Sequence, residues 1–185
     1  MLFLKKLECF KVTCSMTIDN IVTSVSYNGD ELDVTGTLTV WESENTFEFE
    51  SCDRSNPGTL TILGSDAENT GDYCAISGLI LQCASEDTFS PWHNFVTDMT
   101  NWKTNDGSEV CSNPTAAFIN AAINSDIAFI VDILAAGAVA IWESSDAMDG
   151  EIVGTPGKNI QFSSISLYNY IGIFRILRGN LYICC

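Results

Sequence analysis

Three carboxylates, Asp66, Glu68 and Asp72, fall within the stretch GSDAENTGD at 64–72. Hard oxygen donors gathered by a glycine-containing loop suit Ca²⁺, which takes roughly six to eight oxygens. The stretch is not an EF-hand loop. Counted from Asp66, the fifth position is Thr70 and the twelfth is Ser77, so the bidentate acid is missing. The plain alternative is a solvated acidic loop. Calcium is the one cofactor the sequence nominates, with Asp66, Glu68 and Asp72 as its ligands.

A second chemistry is aromatic. Trp92 and Trp102 could stack on a sugar if exposed, so the chain also reads as a calcium- or carbohydrate-binding module. A third reading, a carboxylate-dependent hydrolase, rests only on the abundance of acids. The single histidine, His93, has no nucleophile paired with it in sequence, and no catalytic residue is assigned. Gly157-Lys158 resembles a phosphate loop only superficially, since Ile152 and Asn159 stand where Gly and Ser or Thr are required.

The eight cysteines sit at 9, 14, 52, 74, 83, 111, 184 and 185, without the spacing of a zinc site. Cys52, Cys74, Cys83 and Cys111 border strand-like runs and fit two disulfides, which implies an oxidising compartment: extracellular, or on a particle or cell surface. Three connectivities are open. A Cys74–Cys83 bond is disfavoured, because those residues point to opposite faces if 73–83 is a strand. Free thiols in a cytoplasmic protein are the alternative. That alternative draws on MLFLKK, a poor signal peptide, and on fourteen Asn residues of which none opens an acceptable glycosylation sequon.

Charge divides the chain. The formal net charge is −16, yet residues 16–150 hold 22 acids against 2 bases, Arg54 and Lys103. Nucleic acid is excluded as a partner of that middle, because phosphate neutralisation needs Lys and Arg. No window has the clean apolar length of a membrane span. The abrupt change predicts a peripheral segment at 1–15, an acidic globular domain at 16–150 and an apolar, slightly basic tail at 151–185.

The elements that must position these groups are legible from pattern. Asn28-Gly29 predicts a type I′ hairpin in which Tyr27 faces Asp30, Val25 faces Leu32, Thr23 faces Val34 and Ile21 faces Gly36. FEFES at 47–51 predicts Phe47 and Phe49 inward, with Glu48 and Glu50 outward. Asn56-Pro57-Gly58 is a turn before the strand 59–63. YCAISGLILQC at 73–83 is apolar on both faces, as for a strand covered on both sides, and Gly78 marks a bulge or a close approach. Ser90-Pro91 followed by Trp92, Phe95, Val96, Met99 and Trp102 predicts a capped helix. Further helices are expected after Asn113-Pro114 and from Ile127, with 138–143 readable as either helix or strand.

The expected fold is a β-rich α+β protein. An antiparallel β-sandwich or barrel spans about 17–83, with two or three helices from about 91–143 packed on it. The leading functional expectation is a non-catalytic structural or assembly protein, presenting an acidic β-rich surface to copies of itself or to a basic protein partner.

Overall fold

The computed structural model describes residues 9–66 and 72–156. Two antiparallel sheets face each other, and a helical layer covers the outer face of one. Strand β1 (Phe10–Asp19) is followed by β2 (Ile21–Tyr27), β3 (Asp30–Glu31), β4 (Asn45–Ser51) and β5 (Leu60–Ser65). A helical turn, α1 (Tyr73–Ile76), leads into β6 (Gly78–Ser85), then β7 (Phe95–Val96), β8 (Trp102–Thr104) and β9 (Cys111–Ser112). Helices α2 (Ala117–Asn124) and α3 (Ala128–Ala135) precede β10 (Ile141–Trp142) and β11 (Asp149–Gly154). One sheet has the order β4-β1-β6-β10-β9, with β7 also on β6, and the other has β3-β2-β5-β11-β8. The expected β-rich α+β architecture with sandwich packing is what the chain adopts.

Alternation decides which residues enter the core. On β1, Val12, Cys14 and Met16 are buried, and their ladder partners on β4 include Phe49 and Phe47, also buried. Glu48 and Glu50 point to solvent as expected. On β6, Leu79, Leu81 and Cys83 enter the space between the sheets, while Ile80 packs under α2 and α3 with Phe118, Ile119, Ile130 and Ile133. Strand β6 is therefore covered on both faces, which explains its unbroken apolar sequence. Gly78 lies at a close approach: a Cβ there would sit 3.1 Å from both Ala140 and Phe118. Tyr27, Phe49, Trp92, Phe95 and Trp102 form a chain of ring contacts through the interior, with neighbouring centroids 4.2 to 5.4 Å apart.

The carbonyl of Pro57 ties several of these elements. It accepts from the Tyr27 hydroxyl (2.5 Å), the Trp92 indole N–H (3.0 Å) and the Ser51 hydroxyl (3.3 Å).

Three expectations about local structure are corrected. The hairpin turns at Asn28 and Gly29, both at positive φ, with Tyr27 opposite Asp30, but the pairing ends soon after Glu31. The second arm leaves to bridge Thr35 to Thr46 on β4, and β2 instead pairs along its length with β5. A register shift between Val22 and Ser24 turns Val22 inward beside Val25, replacing the regular 21/23/25 phase. The Ser90-Pro91 segment makes one turn only. Ser90 Oγ accepts from Trp92 N–H (3.1 Å), and Asn94 then adopts φ +58°, so the chain joins β6 as β7. The expected changes of composition at 15/16 and 150/151 fall within β1 and β11. Charge changes there because Lys11 faces outward, 2.7 Å from Glu48, whereas core membership follows the alternation beneath it. Residues 157–185 lie outside the described residues.

The cysteine expectation is partly corrected. All four inner cysteines are bonded, but the bonds are Cys9–Cys52, Cys14–Cys83 and Cys74–Cys111, so two of them recruit cysteines assigned to the periphery. Cys14 and Cys83 face each other across the β1–β6 ladder and are fully buried. Three disulfides are typical of secreted or extracellular proteins.

Intact mass without reductant should be at least six hydrogens below the reduced value, with peptide mapping returning those three pairs. Cys14→Ala with Cys83→Ala should cost about 2–5 kcal/mol of stability. Four alkylatable inner thiols in the native protein would contradict the assignment.

A second prediction comes from the turn after β8. Asp106 accepts from the Thr104 hydroxyl (2.5 Å) and the Ser108 N–H (2.9 Å), and these bonds hold its pKa down at about 2. A depressed carboxyl stabilises the fold above its ordinary value and loses that contribution as pH falls toward 2. An NMR titration of Asp106 should therefore have its midpoint near 2, and an ordinary aspartate midpoint would refute the turn geometry.

Candidate functional site

A cleft of about 230 Å³ opens where the β1–β2 connection meets α1 and α2. Asp19 ends β1 and Asn20 links it to β2, Asp66 follows β5, Ile76 closes α1 and Phe118 lies on α2; Trp41 forms part of the same wall. Chain topology brings them together. The backbone N–H of Asn20 donates to Ser65 O (3.3 Å), so residues 19–20 and 65–66 are neighbours although far apart in sequence. Asp66 N–H donates to Met148 O (2.9 Å) and Tyr73 N–H to Ser145 O (3.0 Å), which fixes both ends of the intervening loop against 145–148.

The polar groups are held rather than loose. Asp66 is 2 % exposed and accepts from the hydroxyl of Ser77, itself buried at the end of α1. Asn20 donates its side-chain N–H to Asp19 Oδ1 (2.5 Å). Phe118 meets Trp41 edge-on at 6.1 Å. Trp41 is partly exposed, whereas the other three tryptophans are buried with their indole N–H groups bonded to the carbonyls of Pro57, Val96 and Ala147. A group entering this cleft would meet two carboxylates, one amide and a partly exposed aromatic wall, a lining that disfavours an anion.

The nominated metal ligands divide. Asp66 lines the cleft, Asp72 is exposed beside α1, and Glu68 lies outside the described residues. Among the described residues, no three Asp, Glu, His or Cys side chains gather as metal ligands would. Trp92 and Trp102 are both 0 % exposed, so neither indole offers a face to a sugar. The accessible tryptophan is Trp41, which sequence reasoning missed along with Asp19 and Asn20. Asp19-Asn20 does end an apolar alternation, a visible sign of a strand end. Nothing in the sequence marks Trp41. His93 Nδ1 donates to Ser85 O (2.9 Å) and so serves the loop between β6 and β7.

No known protein family, curated protein or solved structure matches this chain.

Because Trp41 is the partly exposed tryptophan, it should account for nearly all fluorescence quenching by acrylamide. Trp41→Phe should remove that quenching and leave a blue-shifted emission from the buried three. Strong residual quenching would show that the interior ring column is open to solvent.

Proposed function

We propose that this is a non-catalytic interaction protein of an extracellular or surface setting, which presents an acidic β edge to a cationic protein partner. The observation that carries this reading is the distribution of charge. The described residues hold 22 Asp and Glu against three Lys and Arg, and each of those cations is already in an ion pair. The pairs are Lys11–Glu48, Arg54–Asp87 and Lys103–Glu109. No positive group remains among them to balance the rest. The acids also concentrate. Asp30, Glu31 and Asp33 are exposed on and after β3, and Glu44, Glu48 and Glu50 on and before β4. The Thr35–Thr46 bridge brings the two groups to the same edge of the sandwich.

A cationic partner gains here by steering and by charge complementarity at the contact. Two copies of a chain with net charge −16 repel at low salt, so the charge favours a basic partner over self-assembly through this edge. The Asp19–Asp66–Trp41 cleft supports a second reading, a small-ligand site for calcium or a carbohydrate. A melting temperature that rises in millimolar Ca²⁺ would favour it.

The test uses a lysine-rich peptide as probe at low salt. Reversing Glu44→Lys with Glu50→Lys should weaken binding by about threefold to tenfold, a scale set by exposed ion pairs. Asp126→Lys with Asp132→Lys, on and before α3, should change it far less. Equal losses from both pairs would mean that only net charge matters, and the acidic-edge reading would fall.

A further inference from the structure

A sheet edge that presents unpaired N–H and C=O groups is a template for another strand, and folded proteins cover, shorten or charge such edges. Among the described residues, β3, β7 and β9 have two residues each and β8 has three, whereas the edge strand β4 has seven. The orientation of its backbone follows from the ladder. Thr46 exchanges N–H···O bonds with Thr35 (both 2.8 Å) on the side away from β1. Alternation then turns the N–H and C=O of Glu48 and Glu50 to that same outer side, while Phe47 and Phe49 bond to β1. The Thr35 bridge takes the Thr46 end, and among the described residues no other backbone group pairs with β4 on that side.

The side chains decide what can pair there. On an added strand, residues opposite Glu48 and Glu50 share the outer sheet face with those exposed carboxylates. Residues opposite Phe47 and Phe49 share the inner face with those buried rings. One cation, Lys11, serves the two glutamates, at 2.7 Å from Glu48, so negative charge remains in excess along the edge. A second copy of β4 would set glutamates against glutamates, and like charges directly opposite are unfavourable. Lys or Arg at alternate positions reverses the sign of the same contact. The acids thus turn away copies of this chain and admit a cationic strand.

We propose that an extended segment of a partner protein, with Lys or Arg at every second residue and apolar residues between them, adds to the outer edge of β4 as an antiparallel strand. This inference rests on the acidic-edge reading above and gives that edge its mode of binding. The direction follows the molecule's own habit, since every ladder in the two sheets is antiparallel. Because Thr46 is already paired, the contact centres on the N–H and C=O groups of Glu48 and Glu50. Backbone bonds of this kind hold any strand, and the alternating side chains select which one.

The probe is a short peptide of alternating lysine and valine, added to the full chain at low salt. Antiparallel pairing turns its lysine N–H groups toward β4 and its valine N–H groups away. N-methylation of the lysine amides should therefore weaken binding at least about fivefold, the scale of a few lost backbone hydrogen bonds, whereas N-methylation of the valine amides should change it by less than about twofold. Hydrogen exchange gives an independent readout. At saturating peptide the amides of Glu48 and Glu50 should slow at least about tenfold, with Phe47 and Phe49 protected throughout. Binding that leaves those two amides unchanged, or that responds equally to both methylations, overturns strand addition and leaves the acidic edge standing. A peptide that binds the parent no better than the Glu44→Lys, Glu50→Lys variant removes the acidic edge itself, and this proposal with it. If the amides of Glu48 and Glu50 are already protected in the free monomeric chain, the edge is filled without a partner and the proposal fails.

Discussion

The structure depends on burying β6 from both sides. Its inward residues meet the opposite sheet, and Ile80 meets the helical layer, so neither layer can be removed without exposing a strand that has no polar face. The neighbouring strand β1 has to be long enough to pair along β6, and Cys14–Cys83 locks that pairing near its Val12–Ser85 end, where both cysteines are fully buried. Loop closure over 69 residues restricts the unfolded chain chiefly in this central pair, whereas the other two bonds fasten the start of β1 and the α1–β9 contact. The helices answer the same need. Their spacing places Phe118, Ile119, Ala122, Ile130 and Ile133 over β6, and Asp126 at φ +54° turns the chain between them.

What could be read in advance was whatever local chemistry alone decides. Asn28-Gly29 turned because those residues accept positive φ, and 47–51 buried its phenylalanines because a period of two leaves no choice. The apolar run at 73–83 marked a doubly covered strand, although its first residues form α1. Where tertiary contacts compete with local preference, the reading failed. Trp92, Phe95 and Trp102 occur at helical spacing, yet their rings join the interior column through a single turn and two short strands. The arm after Glu31 looks like a strand but crosses between sheets. Residues 10–15 looked peripheral because Lys11 changes the local charge, although Val12 and Cys14 are core.

The cleft was the least legible part. Asp19, Trp41 and Asp66 are separated by more than twenty residues at each step, and no periodicity links them. They meet because β1 and β5 end at the same level in different sheets and the 32–44 connection passes over β1, where Thr17 Oγ donates to Trp41 O at 2.7 Å. Of the three carboxylates proposed from spacing, one entered the cleft because its position lies at a strand end. Its paired hydroxyl on Ser77 comes from the end of α1, so local sequence named the loop but not its contact.

The Pro57 carbonyl has a consequence for how this chain can vary. An oxygen with two lone pairs serves donors from β2, from β4 and from the turn before β7. Adding or deleting a residue between Ser51 and Leu60 would move that oxygen by a full backbone step and release all three donors together. Surface connections ordinarily absorb length changes with little loss. Here the connection behaves as a gauge block between the sheets, so related sequences should preserve the number of residues across 51–60 even where they exchange the residues themselves.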